Sequence, residues 1–255
     1  MKGSAKDWRF LLLSNFLMLI AFPIIVWFLI GQLYPDVGLS LFLLAAMPVG
    51  MTAPLLVEVV GGKQSVAMVL TVTTSLLAPV TIPLLTKYLY GTTITVDAFG
   101  MFKQLMLVIF VPFILALIVR RTVPTFIAKI KPATKPISIL LLGALIIGAV
   151  SKQSASIILM SKDWWQLFVL IGALFVFFLF THFVGYYIFW WKNHDEKNTA
   201  SITLTYMNFT LAIYLASQFF PRPGVLLPLV LCILPWATLL PLWKQVSETF
   251  LKPGK

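Results

Sequence analysis

Long apolar runs constrain this chain more than any other feature of its sequence. Stretches of about 20 residues without a charge recur along it, residues 10–33 and 66–86 among them, and this is the length of a helix that crosses the hydrocarbon core of a bilayer. The strand-like alternation of apolar and polar residues is absent from these runs. Only 11% of the residues are charged, against roughly 25% in a typical soluble domain. The sequence therefore predicts an all-α polytopic membrane protein.

The apolar runs divide into eight predicted spans, labelled A to H. They cover residues 10–33, 37–60, 66–89, 102–119, 137–150, 164–191, 199–220 and 225–243. Of the 19 Lys and Arg residues, 14 fall at the termini and alternate loops on one side of these spans, and 5 fall on the other side. This bias places both termini in the cytoplasm. The basic residues behind the net charge of +11 are therefore expected to set the orientation of the spans and to contact anionic lipid head groups. No binding of nucleic acid is expected.

Span B contains a predicted break. Its segment AMPVGMTAPLLVEVVGG, residues 46–62, places Pro48, Gly50 and Pro54 within an apolar run. Each proline removes a backbone donor and clashes with the preceding turn. Polar backbone groups freed at this depth are tolerated only where protein or a water-filled cavity surrounds them, and paired broken helices of this kind form the binding sites of secondary transporters. An ordinary proline kink is the alternative.

Span G is the most polar of the eight, and its polar and small residues fall on two helical faces. These are Ser201, Thr205, Asn208 and Ala212 on one face, and Thr203, Met207 and Thr210 on the other. Polar groups on two faces predict a span that is surrounded by protein.

Span C has one face of small residues, which fits a packing seam between helices as well as a ligand face. That face holds Ala67, Thr71, Thr74 and Ala78.

The predicted topology contains an internal symmetry. The triplet A, B, C begins on the cytoplasmic side, whereas the triplet F, G, H begins on the other, so two triplets of opposite topology flank D and E. The segments SLLAPVTIPLL in span C and CILPWATLLPLW in span H are both rich in leucine with spaced prolines. Inverted repeats place a binding site where they meet, near the membrane midplane. Spans B and G are then equivalent, and both are expected at the site.

Two segments carry a resemblance to a known family. Residues 47–85, MPVGMTAPLLVEVVGGKQSVAMVLTVTTSLLAPVTIPLL, resemble the fourth and fifth helices of the bile acid:sodium symporter family, and residues 201–220, SITLTYMNFTLAIYLASQFF, resemble its ninth helix. The similarity extends from span A to span H. It implies a single membrane domain with a core bundle, here residues 10–89 and 164–243, and a smaller panel, here residues 102–155. It also implies that B and G are discontinuous helices that cross.

The family imports organic anions, such as bile acids and other small carboxylates or sulfonates, together with sodium. Its bacterial members have ten helices, and this chain lacks counterparts of the first two, which belong to the panel. We therefore expect an upstream start codon, a second copy of the chain in a homo-oligomer, or a partner that completes the panel.

The resemblance places the family's sodium ligands on spans B, C and G. At the matching positions this chain has Thr203, Met207 and Asn208 for the motif Glu-x-x-x-Gln-Asn in G, Ala53 and Pro54 for a Ser-Asn pair in B, and Thr71 and Ala67 for two hydroxyl ligands in C. Sodium is a hard cation that prefers oxygen, and the Met207 thioether offers none. The ion ligands that the resemblance implies for this chain are therefore Thr71, Thr203 and Asn208.

Together these features predict a secondary transporter of a small organic anion in a bacterial inner or plasma membrane. We expect B and G to cross at the site and no cofactor to be bound. The resemblance implies sodium as the coupling ion, and coupling to a proton or to no ion is the alternative. Backbone amides freed at the break would receive the anion, as helix ends do elsewhere. The expected substrate contacts are Thr52, Thr205, Asn208 and Thr210.

Two other classes of function were open at the level of sequence. A non-transporting descendant, or one half of a split assembly, would act as a membrane interaction protein, and the missing helices and altered ion ligands favour it. An intramembrane enzyme needs a nucleophile or a metal site, which two His, one Cys and no paired intramembrane carboxylates do not supply, so no enzyme is predicted. Glu58 and His182 lie within spans, and each has either a functional or a structural role.

Overall fold

A computed structural model describes residues 8–125 and 164–251, together with seven isolated positions between 133 and 151. Within these ranges the regular structure is helical, apart from one isolated β-bridge. Five of the described helices are long and apolar enough to cross a bilayer. The chain is therefore an integral, polytopic all-α membrane protein, as the sequence predicts.

The first three predicted spans form a long helix, a broken helix and a second long helix. Helix α1 covers Trp8–Gly31, the broken span consists of α2 (Pro35–Ala46) and α3 (Ala53–Val59), and α4 covers Gln64–Tyr90. The predicted break in span B is confirmed. Pro54 lies in the first turn of α3, where its missing N–H would lack a helical partner in any case.

The last three spans repeat this order of elements. Helix α6 covers Trp164–Tyr187, the broken span consists of α7 (His194–Thr205) and α8 (Phe209–Phe219), and α9 covers Pro223–Leu251. Span G is thus discontinuous, as the family resemblance implies. The inverted relation between the two triplets stays a prediction.

One described helix stands apart from these two triplets. Helix α5 covers Ala98–Thr122 and begins at an N-cap, where the Asp97 carboxylate accepts a hydrogen bond from the Gly100 amide at 2.8 Å. It packs along α4, and only 6% of its most apolar stretch is buried. Most of span E, residues 137–150, lies outside the described residues, so the panel over residues 102–155 and the count of eight spans stay predictions.

Helix α7 lies at the centre of the described bundle. Every residue from Asn198 to Thr205 is buried, although five of these eight side chains carry a hydroxyl or an amide. The helix packs against α6, α3 and α4. The prediction that span G is surrounded by protein is therefore confirmed. On the small-residue face of α4, Ala67, Thr74 and Ala78 are fully buried, which fits close packing between helices.

Candidate functional site

The two broken helices meet at their breaks. Val49 and Met207 form an antiparallel β-bridge. The Gly50 amide donates to the Tyr206 carbonyl at 2.9 Å, and the Asn208 amide donates to the Pro48 carbonyl at 2.9 Å. Each break thus satisfies backbone groups that the other leaves without a helical partner, which inside a membrane would cost several kcal/mol per group. We call this pairing, residues 47–52 with residues 206–208, the crossing.

Gly50 permits the close approach of the two chains. A Cβ at this position would lie 2.7 Å from the Tyr206 carbonyl oxygen and 3.3 Å from that of Met207, and both of these atoms belong to the backbone. No side chain can therefore occupy position 50 while the crossing keeps its geometry. The glycine in the sequence motif is explained by this contact.

A third helix is bonded to the crossing through Thr74 of α4. The Thr74 hydroxyl accepts a hydrogen bond from the Val49 amide at 3.1 Å and donates to the Leu70 carbonyl at 2.6 Å. The side chain is fully buried. Sequence reasoning placed Thr74 on the small-residue face but selected Thr71 as the site residue. The sequence does not distinguish the two threonines, because Thr71 and Thr74 lie less than one helical turn apart on the same face. The hydrogen bond between Thr74 and the Val49 amide appears only in the fold.

The far ends of the two broken helices are also joined. The Lys63 amide donates to the Thr199 hydroxyl at 2.7 Å, and the Asn198 side-chain amide donates to the Val60 carbonyl at 2.9 Å. Lys63 forms an ion pair with Glu196 at 2.8 Å. These contacts join the turn after α3 to the first half of α7. The crossing is therefore held both at its centre and at one end.

The predicted substrate residues separate into two groups. Thr205, Asn208 and Thr210 lie at the break between α7 and α8, whereas the Thr52 side chain is exposed at the N-cap of α3. The Asn208 Oδ1 accepts from the Thr210 hydroxyl at 2.8 Å and from the Leu211 amide at 3.1 Å, so it caps α8. The Thr205 hydroxyl is buried and has no hydrogen-bond partner within the described ranges.

The expectation that freed backbone amides receive the substrate changes with the structure. Three of these amides, those of Val49, Gly50 and Asn208, already donate to acceptors in the protein. They were expected to be free because the sequence shows the break but not its partner. In this conformation these three amides are not available to an anion.

The predicted ion ligands lie on α4, α7 and at the second break. The Thr71 hydroxyl donates to the Ala67 carbonyl at 2.9 Å, and the Thr203 hydroxyl donates to the Thr199 carbonyl at 2.8 Å. A hydroxyl that donates its proton keeps lone pairs that can coordinate a cation. The Asn208 oxygen, in contrast, already accepts two hydrogen bonds in the cap of α8. Thr71 and Thr203 therefore fit a cation better than Asn208 does.

Glu58 is not part of the crossing. It is exposed on α3, and its carboxylate accepts a hydrogen bond from the Gln64 side chain at 2.9 Å. The described residues contain no group of three or more His, Cys, Asp or Glu side chains that could hold a metal ion. A cation at the crossing would consequently be held by neutral oxygens.

His182 lies against the second break. Its ring packs on Tyr206, with centroids 5.5 Å apart, and on Trp243 of α9 at 4.9 Å. The Nδ1 atom lies 2.7 Å from the Phe178 carbonyl, and because a carbonyl only accepts, Nδ1 carries the proton in the neutral ring. The sequence marks His182 as a histidine within a span, but its neighbours Tyr206 and Trp243 come from distant parts of the chain and appear only in the fold.

Two comparisons with known proteins bear on the chain. The model of a family described as the sodium bile acid symporter family matches residues 1–160, which is more than half of the chain. The chain is also 26% identical, over 203 residues, to a protein of Arabidopsis thaliana named "Probable sodium/metabolite cotransporter BASS1, chloroplastic". That match covers 77% of this chain and 48% of the plant protein. The chain thus spans about half the length of the curated relative it matches.

Proposed function

The chain belongs to the sodium bile acid symporter family, and from this membership we propose that it is a secondary transporter of a small organic anion, coupled to sodium. The observation that carries the proposal is the crossing, in which Gly50 and Asn208 each bond to the opposite break. Discontinuous helices that meet in this way line the substrate and ion sites of secondary transporters. A carboxylate or sulfonate is the proposed substrate class.

Side chains at the second break would bind the anion. The Thr205 hydroxyl is buried without a partner in the described part of the chain, and a buried donor left in this state costs about 1–3 kcal/mol. A bound oxyanion would accept a hydrogen bond from this hydroxyl. Because the Asn208 oxygen is held by the cap of α8, its Nδ2 group is the part of that side chain left to donate to an anion.

Sodium would bind beside this position through neutral oxygens. Thr71 and Thr203 keep lone pairs after their bonds to helix carbonyls, and Thr203 stands where the family motif has a glutamate. A site without a carboxylate compensates less of the dehydration of the cation. We therefore expect a weaker sodium affinity than a carboxylate-containing site would have.

Access to the crossing requires a conformational change. Val49, Gly50, Tyr206 and Met207 are all buried, so neither ligand reaches them in this conformation. Movement of the core bundle against the panel, which includes α5, would open the site alternately to each side. Both termini are proposed to lie in the cytoplasm of a bacterial inner or plasma membrane.

The test is the melting temperature of the purified protein in sodium against matched potassium at constant ionic strength. A ligand that binds only the folded state stabilises it, by about 2.7 kcal/mol at 100 times its Kd. We expect a saturable, sodium-specific rise that Thr203→Val removes. Thr86→Val is the matched control, because Thr86 is equally buried and donates to the Ile82 carbonyl in the same way, yet lies about three helical turns beyond Thr74 on α4.

Uptake into proteoliposomes tests the substrate class. Labelled taurocholate and labelled pyruvate represent a sulfonate with a large apolar body and a small carboxylate. We expect sodium-driven uptake of at least one of them and its loss in Asn208→Ala. A flat sodium response together with no uptake of either anion would contradict the proposal, and would favour a membrane interaction protein instead.

A further inference from the structure

A second polar site lies far from the crossing, at the end of the bundle where α1 and α4 end and α2 and α9 begin. A cavity of about 550 Å³ opens there, which is within the range of pockets that hold small organic ligands. Its apolar wall includes Trp27, Leu39 and Leu89, and its polar lining includes Asp36, Tyr90 and Arg222. None of these residues belongs to the crossing.

The polar end of the cavity carries a net positive potential. Arg222 contacts the Asp36 carboxylate through one nitrogen at 3.3 Å, and both side chains are about half exposed, so most of the guanidinium donors stay available. Helices α2 and α9 begin beside this pair, and neither has a side-chain cap. Each uncapped helix start contributes roughly half a positive charge. The single carboxylate therefore leaves an excess of about one positive charge.

Arg222 is held in place by contacts between the two helix starts. The Ser40 hydroxyl of α2 lies 2.7 Å from the Val225 carbonyl of α9. Gly224 lets α9 approach α2 closely, because a Cβ there would lie 2.5 Å from an Asp36 oxygen. The backbone beside Arg222 is therefore packed against α2, and the side chains of Asp36 and Arg222 both line the cavity.

Tyr90 supplies an unsatisfied donor on the wall of the same cavity. Its side chain is 5% exposed, and its hydroxyl has no hydrogen-bond partner among the residues that the structure describes. The hydroxyl faces Gly31, where an added Cβ would lie 2.7 Å from it. A buried phenol hydroxyl without a hydrogen-bond partner is destabilising unless a ligand accepts a hydrogen bond from it.

We propose that this cavity binds a small organic anion that has an apolar body. Its carboxylate or sulfonate contacts Arg222 and accepts a hydrogen bond from Tyr90, and its body packs on Trp27, Leu39 and Leu89. The role of this binding in transport rests on the proposed function. With the termini in the cytoplasm, this end faces outward, so the cavity would capture the anion before it reaches the crossing.

The test is calorimetric titration of the protein in phosphatidylcholine nanodiscs with benzenesulfonate, and with its neutral isostere benzenesulfonamide. We expect the sulfonate to bind and the sulfonamide to bind at least about tenfold more weakly, since hydrogen bonds to a charged group are the stronger ones. Arg222→Gln should weaken sulfonate binding at least about tenfold and Tyr90→Phe several-fold. Lys87→Gln is the matched control, because it removes one positive charge from the same end of α4 and does not line the cavity; it should change the affinity less than about twofold.

Three results would overturn the proposal. These are no binding of benzenesulfonate, equal binding of the sulfonamide, and equal effects of Arg222→Gln and Lys87→Gln. Nanodiscs that contain phosphatidylglycerol test whether a lipid head group, rather than a free anion, occupies the Arg222 end. Weaker sulfonate binding in them would assign this end to a lipid head group and overturn the free-anion proposal. Loss of sulfonate binding with the sodium-dependent melting shift intact would leave the proposed function standing while this site fails.

Discussion

The two breaks that form the crossing have different causes. The first, between α2 and α3, contains Pro48 and Gly50 and is followed by Pro54 in the first turn of α3, so its own residues disfavour a continuous helix. The second, between α7 and α8, is the segment Tyr206–Asn208 and contains neither proline nor glycine. The cap by Asn208 and the bonds to the first break define it. One break is therefore local in origin, and the other depends on its partner.

The two breaks should therefore respond differently to substitution. A change that prevents the two segments from approaching should remove the reason for the second break while leaving the first in place. A change to a proline of the first break should have a smaller effect, because the bonds across the crossing remain.

Gly50→Val should have the largest effect. Its side chain would collide with the Tyr206 carbonyl, which lies 2.7 Å from the position of a Cβ, and we expect a loss of about 3 kcal/mol from overpacking and the broken hydrogen bonds. The melting temperature in detergent measures it. Gly172→Val on α6 is the control, since nothing described lies within 4 Å of a Cβ there. Equal losses in both variants would contradict the close approach at Gly50.

Thr74→Val should have the next largest effect. The variant leaves the buried Val49 amide without its acceptor, which costs about 1–3 kcal/mol. Thr74→Ser keeps the hydroxyl and should retain most of the stability. Denaturation curves of the two variants give the comparison, and a serine variant that is as unstable as the valine variant would show that the methyl group, rather than the hydrogen bond, matters.

Asn208→Ala should cost about 1 kcal/mol, because it removes the side-chain cap of α8. Its backbone bond to Pro48 remains, so the crossing should persist in weakened form. Asn208→Ser provides another good cap residue and should recover most of the loss in thermal stability. If serine and alanine are equally destabilising, the cap does not define the second break.

Pro48→Ala should have the smallest effect, below about 1 kcal/mol, which is the usual range for removing a proline whose conformation another residue can adopt. The alanine keeps the carbonyl that accepts from the Asn208 amide. Hydrogen exchange of the Gly50 and Asn208 amides, measured by mass spectrometry, should stay slow. Fast exchange at both amides would show that the bonds across the crossing depend on Pro48.

The same asymmetry explains what could be predicted from the sequence. The apolar runs and the prolines of span B gave the helical membrane fold and the first break directly, because both effects are local. Span G appeared only as a polar span, and its break was expected from the family resemblance alone. Thr74 contacts Val49, and His182 contacts Tyr206. Both contacts join residues that are distant in sequence, so no local pattern predicts them.

The binding residues follow less directly from the sequence than the fold does, for a related reason. A pattern of polar residues shows which side chains are available, but a hydrogen bond within the protein can already occupy them. The Asn208 oxygen and the Gly50 amide are occupied in this way. Thr52 is exposed at the start of α3, although it lies only two residues from Gly50.

A disulfide between positions 49 and 207 tests the pairing of the two breaks most directly. In an antiparallel pair flanked by hydrogen bonds of this kind, the Cα atoms lie about 4.5 Å apart, within the range that a disulfide spans. Val49→Cys and Met207→Cys are introduced with Cys232→Ala, which removes the chain's single native cysteine. We predict that mild oxidation in membranes links positions 49 and 207, as detected by mass spectrometry, and leaves a control pair of Leu55→Cys with Met207→Cys unlinked. Free thiols at 49 and 207 in the folded protein after oxidation would contradict the crossing.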